Sequence, residues 1–120
     1  MKIQHDGLAV AKWLKEVKQV GVLGIHGESL GGFVASYIAS RMPVDFVFCD
    51  RTFSSLYDVA YNSYGNVARS LFRMFTKWEC SSVNNFLNAE CYKLISADPN
   101  DNIIPNAASL KSGVSHALVK

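Results

Sequence analysis

The apolar positions of this chain change period along its length. Between about Gly7 and Lys18, Leu8, Ala11, Leu14 and Val17 recur at helical spacing, with lysines and Glu16 on the other side and Trp13 near the apolar edge. The pattern then becomes a short unbroken run, Val20-Gly21-Val22-Leu23-Gly24-Ile25, which predicts a strand buried on both faces. A glycine-rich turn follows from Gly27 to Gly32. Phe33, Val34, Tyr37 and Ile38 restore the helical period over about Leu30 to Arg41, and Pro43 predicts the stop, because the residue before a proline avoids the helical region. Val44 to Cys49 reads as a second buried strand ending at Asp50. From Arg51 to about Glu90 the pattern is mainly helical, with breaks expected near Gly65 and near Ser81-Ser82. Cys91 to Ser96 is the third strand. Asp98 to Asn102 is a turn on account of its proline and Asx residues, and a last helix is expected from near Pro105 to about Gly113.

Strand–helix alternation of this kind predicts an α/β fold, with about three parallel strands, flanking helices and right-handed crossovers. Three strands expose two long edges, which proteins normally cover or pair. The pattern therefore predicts a partner, or further chain, over those edges.

Composition narrows this picture without redirecting it. The chain has 120 residues, a formal net charge of +2 and 49% hydrophobic residues, which fits one globular domain and falls short of a complete eight-stranded α/β enzyme. The positive charge is spread along the sequence, so nucleic acid is not expected as a partner. No apolar run reaches the roughly 18–20 residues that cross a bilayer, so no transmembrane segment is expected. Met1 to Asp6 has no apolar stretch behind its lysine and does not read as a secretory leader. Cys49, Cys80 and Cys91 are odd in number and lack CxxC spacing, so neither a disulfide framework nor a zinc site is expected, although Cys80 and Cys91 could meet. A reducing, cytoplasmic setting is the simpler reading, with no metal and no cofactor.

The chemistry is concentrated in the glycine-rich turn. Gly27-Glu28-Ser29-Leu30-Gly31 stands between an apolar strand and an amphipathic helix. A serine hydroxyl is a weak nucleophile unless a base takes its proton and the backbone holds it clear. A tight strand-to-helix turn does the second, with Gly27 and Gly31 removing clashes on either side of Ser29. The amide of Leu30 then lies at a helix N-terminus, where it is the expected oxyanion donor. The competing reading is a glycine-rich turn with an incidental serine. A dinucleotide-binding turn fits poorly, since His26 and Ser29 occupy the positions of its later glycines, and no Gly-Lys-Ser/Thr marks a phosphate loop.

The run Gly24-Ile25-His26-Gly27-Glu28-Ser29-Leu30-Gly31-Gly32 resembles the nucleophile elbow of α/β-hydrolases of the serine-aminopeptidase and prolyl-oligopeptidase-like branch. Asp50 to Leu56 resembles a segment after the sixth strand in relatives of the bud-emergence-type hydrolases. Ser96 to Pro105 resembles the acid loop after the seventh strand. The resemblance covers nearly the whole chain and implies a partial domain, from the fifth-strand to the seventh-strand region, with residues 51–90 in the place of a cap. It implies that Asp101 is the triad acid, which orients a histidine and stabilises its imidazolium. Asp98 is a close rival, and Asp50 is another, because some hydrolases of this fold place the acid after that strand. Each aspartate also reads as a turn or cap residue.

Three histidines compete for the base: His5, His26 and His116. His5 reads as a solvated residue near a helix start, and His26 as a residue that packs locally at the strand end. His116 follows Asp101 as the family order of serine, acid and histidine demands, but only a helix separates them, where the family places a helix and a further strand. The resemblance also implies that a second oxyanion donor, carried by a strand before the elbow in the family, is missing.

Val67, Leu71, Phe72, Met74, Phe75 and Trp78, with Arg69, Arg73 and Lys77 interspersed, make the middle segment apolar and aromatic. They read either as helix core or as a lid that lines an acyl site or touches a membrane surface from outside. Two functions are carried forward. One is a serine hydrolase acting on ester, thioester or amide bonds of a small-molecule or acylated substrate, either as part of a larger domain or as a small enzyme using His116. The other is a non-catalytic hydrolase-like remnant or interaction fragment that lacks the triad histidine.

Overall fold

The structure is a computed structural model that describes residues 2–75 and 81–119, with the backbone alone at 63, 67–69 and 71–75. In chain order the elements are α1 (Lys2–Glu16), β1 (Gly24–Glu28), α2 (Leu30–Ala39), β2 (Phe46–Asp50), α3 (Leu56–Phe75), α4 (Ser82–Asn88), β3 (Tyr92–Ser96), a single 3-10 turn (Asn106–Ala108) and α5 (Leu110–Leu118). The three strands are parallel, in the order β1-β2-β3, and in register from Gly24, Phe46 and Tyr92 to Glu28, Asp50 and Ser96. This is the α/β class that the alternation predicts.

The first strand lies later than its apolar run. Val20 to Leu23 is a lead-in, in which Val22 is 72% exposed, and pairing with β2 begins at Gly24 and continues into the serine turn. Asp45 fixes the changeover. The Leu23 N–H donates to its carboxylate at 2.7 Å, the Asp45 N–H donates to the Leu23 carbonyl at 2.9 Å, and Lys15 stands 3.5 Å away. The Leu23 amide, aided by the Lys15 charge, holds the Asp45 carboxyl below its ordinary range. The first helix also starts earlier than expected, because Gln4 is buried and His5 stacks on Tyr37 of α2, so that its first turn is docked.

The strands are not buried on both faces. Ile25, Val47, Cys49 and Ile95 join Ala11, Ala35, Ile38, Phe86 and Leu110 in the main core, so the helical layer covers one face of the sheet. Each fully buried large side chain there contributes about 1.5–3 kcal/mol. Burial, with a smaller effect from Cys91, pushes the Cys49 thiol up to about 12. The alternate positions face the other way: Phe46 is 40% exposed, Leu94 55% and Tyr92 84%. A smaller cluster of Phe33, Phe53 and Ile104, joined by Leu56 and Val59, packs apart from the main core.

The middle segment breaks where expected. α3 is interrupted at Gly65 (φ 79°), and Ser81 caps α4 by accepting a hydrogen bond from the Asn84 N–H at 3.1 Å. The side chains of Val67, Leu71, Phe72, Met74, Phe75, Arg69 and Arg73 lie outside the described set, as do Lys77, Trp78 and Cys80 altogether. The last helix is displaced, since Pro105 precedes a 3-10 turn and Ser109 caps α5, its hydroxyl accepting from the Ser112 N–H. Among the described residues, no helix is long and apolar enough to cross a membrane.

Candidate active site

β1 ends at Glu28 and α2 begins at Leu30, so Ser29 alone makes the turn. Its backbone lies at φ 52° and ψ −116°, a left-handed region that a non-glycine residue occupies at a cost on the order of 1–3 kcal/mol. The surroundings hold it there. The Ser29 N–H donates to the Asp50 carbonyl at 2.9 Å; the Ser29 carbonyl accepts from the Gly32 N–H at 3.1 Å and from the Thr52 hydroxyl. A Cβ at Gly27 would run into the backbone of Gly31 and Gly32, so the strand and the helix approach each other only because that side chain is missing. The sequence expectation for Gly31 is corrected. A Cβ there meets nothing, whereas one on Gly32 would collide with Thr52, so the second close approach belongs to Gly32.

Serine at an N-cap usually accepts a hydrogen bond from the first turn of the helix. Ser29 makes no such side-chain bond, and it is exposed. Its hydroxyl is therefore not committed to holding its own helix. Leu30 is the first residue of α2, where an amide has no acceptor within the helix. An oxyanion formed on a carbonyl carbon at Ser29 would meet that amide and the positive end of α2.

Ser29 opens into a cleft of about 320 Å³ lined also by Glu28, Arg51, Asp98, Asp101 and Ile104. Asp101 is shaped by its own loop: its Oδ1 accepts from the Ile103 N–H at 2.7 Å and from the Ile104 N–H at 3.0 Å. The Ile104 and Ile103 amides, with a smaller contribution from the Arg51 charge, hold its carboxyl below the usual carboxylate range. At neutral pH Asp101 is thus an anion in the same cleft as the serine. Asp98 lines the same cleft, with its Oδ1 accepting from the Asn100 N–H at 2.9 Å. Asp50 does not line it. The Ser96 hydroxyl donates to its carboxylate, and Arg51 Nε stands 3.6 Å away, so Asp50 acts as a link between β2 and β3.

The three histidines lie elsewhere. His116 is exposed in the last turn of α5 and is not among the residues that line the cleft. His26 packs its ring on Phe48 with centroids 4.9 Å apart, the local packing expected of it. His5 is exposed, as expected, and stacks at 6.1 Å on Tyr37, within α1. The fold thus brings Ser29, Asp98 and Asp101 to one cleft, with Leu30 next to Ser29 at the start of α2 and no histidine among the described residues that line the cleft.

Arg51, which lines the cleft, and Thr52, which does not, fall in the Asp50 to Leu56 segment, but nothing in the sequence ties either of them to the serine turn. Arg51 adopts φ 42°, donates its N–H to the Ser96 carbonyl at 3.1 Å and pairs through its guanidinium with Glu28. Thr52 is 1% exposed and reaches Ser29 from the segment that follows β2. A short antiparallel bridge between Phe53 and Ser109 ties this segment to the end of the loop that carries Asp98 and Asp101, with the Leu110 N–H donating to Thr52 O and the Ser54 N–H to Ala108 O, both at 2.8 Å. Among the described residues, no group of three or more His, Cys, Asp or Glu side chains could hold a metal ion. In comparisons with protein-family models, curated proteins and solved structures, nothing matches this chain.

Proposed function

We propose that Ser29 is the nucleophile of a serine-hydrolase site of the α/β-hydrolase type, acting on an ester, thioester or amide. The observation that carries this is the backbone of Ser29: a non-glycine residue at φ 52° on a strand–helix joint, its hydroxyl making no cap, in one cleft with an ionised Asp101. In this reading the Ser29 oxygen bonds to the carbonyl carbon as its proton passes to a base. The carbonyl oxygen becomes an anion facing the Leu30 amide, and such a donor is worth about 2.7–4 kcal/mol. The leaving group departs with a proton, and water then cleaves the acyl-serine. Asp101 orients the base and stabilises its cation.

The base in this reading is a histidine from outside the residues that line the cleft. The substrate is a small or acylated carbonyl compound, and the setting is cytoplasmic, which the free thiols of Cys49 and Cys91 support. An activated ester tests the reading, with imidazole added to stand in for the base. Release of the leaving group should be faster with the protein than with Ser29→Ala, and the excess should grow with imidazole. Equal release by both proteins under both conditions would sink it.

A second reading, a non-catalytic fragment that docks on a partner, is supported by two observations: no histidine lines the cleft among the described residues, and Phe46, Leu94 and Tyr92 are exposed on one face of the sheet. In that case Ser29→Ala changes no chemistry, and a partner masks those side chains from labelling.

A further inference from the structure

The turn at Ser29 does not hold itself together. Its conformation is unfavourable for a serine, and the hydroxyl that would normally cap α2 is not so used. The restraint comes from the segment after β2. Asp50 takes the Ser29 N–H on one side of the residue, and Thr52 gives its hydroxyl to the Ser29 carbonyl on the other. With the Gly32 N–H also bonded to that carbonyl, both of its lone pairs are used.

Thr52 is suited to this task by its own anchoring. It is 1% exposed, its carbonyl accepts from the Leu110 N–H at 2.8 Å, and its side chain fills the space that the missing Cβ of Gly32 leaves open. A buried hydroxyl needs a partner, and Ser29 O is the one recorded for it. Moving Thr52 would therefore disturb the elbow, the start of α5 and the packing on Gly32 together.

We infer that Thr52 is a positioning residue, whose hydroxyl holds the Ser29 peptide in its left-handed conformation and thereby keeps the serine side chain presented to the cleft. This rests on the reading of Ser29 as nucleophile for its chemical consequence, though not for its structural one. Thr52 touches no reacting atom and acts only through the backbone of Ser29.

Two measurements on the full chain separate these consequences. Thr52→Val removes the hydroxyl at nearly constant shape, and Thr52→Ser keeps it. Amide hydrogen exchange at Ser29 and Gly32 should quicken about tenfold in Thr52→Val, corresponding to ~1.4 kcal/mol, and return to within about twofold of the parent in Thr52→Ser. Amides of β3 serve as the reference and should keep their rates. Labelling by a fluorophosphonate, with imidazole added in place of the base, should slow about tenfold in its maximal rate with little change in the half-saturating concentration, again restored by serine.

If the parent protein does not label, the nucleophile reading fails, and hydrogen exchange still decides the role of Thr52. Should Thr52→Val not fold, Thr52→Ala replaces it, since alanine deletes the hydroxyl without placing a second methyl group there. Unchanged exchange at Ser29 and Gly32 in the hydroxyl-free variant would overturn the inference. So would a Thr52→Ser that behaves like that variant.

Discussion

The two sides of the cleft are built in different ways. On the serine side, a residue in an unfavourable conformation is held by the Asp50 carbonyl at the end of β2, by the Thr52 hydroxyl just beyond it, and by the close approach at Gly27 and Gly32. On the acid side, Asp101 is held by amides two and three residues away in its own loop. The serine side depends on the packed sheet, whereas the acid side is a local turn joined to it through the Phe53–Ser109 bridge. The difference predicts that damage to packing disturbs the serine first, and that the aspartate loop responds mainly to pH.

The largest effect should come from the residue beneath both sides. Phe33 is fully buried against Phe53 and Ile104, so Phe33→Ala should cost about 3–5 kcal/mol in urea unfolding. A loss below about 1 kcal/mol would mean that the small cluster does not support the cleft. Next comes a pair of glycines. Gly27→Ala should destabilise by about 1–3 kcal/mol, because its Cβ meets the backbone of the following helix. Gly31→Ala should be neutral or stabilise by up to about 1 kcal/mol, because the space there is open and alanine favours the helix. Equal effects at the two positions would remove the distinction between a packed and an unpacked glycine in the turn.

These two glycines show what could be read from the chain and what could not. The G-x-S-x-G spacing, the strand before it and the helix after it are local patterns, and they locate Ser29. That Gly32 rather than Gly31 is the crowded glycine of the helix start depends on Thr52, which lies in the segment after β2 and becomes a neighbour only when β1 and β2 pair. The same holds for β1. Its apolar run marks the lead-in from Val20, whereas pairing extends through His26 and Glu28, polar residues tolerated because one face of the sheet is uncovered. Asp98 and Asp101 were legible because Asx turns are short-range. The conformation of Arg51 was not, because nothing in its side chain calls for φ 42°.

The smallest effect concerns the acid side alone. The Asp101 carboxyl is lowered by the Ile104 and Ile103 amides and by Arg51, so its folded value lies below its unfolded one. Its contribution to stability is therefore present above the unfolded value and is lost as pH falls through the folded value. Carboxyl chemical shifts followed by NMR should show Asp101 titrating below the ordinary aspartate range, with the Ile103 and Ile104 amides moving along with it. An ordinary midpoint would mean that the loop does not hold the anion, and the two sides of the cleft would no longer differ in this way.

The central claim is that Ser29 is a presented nucleophile rather than a serine in a turn. Peptide mapping after exposure to a fluorophosphonate, with imidazole added in place of the base, tests it most directly, because the reagent forms a stable adduct on an activated serine hydroxyl. The account predicts an adduct on the peptide that contains Ser29, absent in Ser29→Ala, with the other serines unmodified. A folded protein that carries no adduct on Ser29, or carries it equally on exposed serines elsewhere, would contradict it.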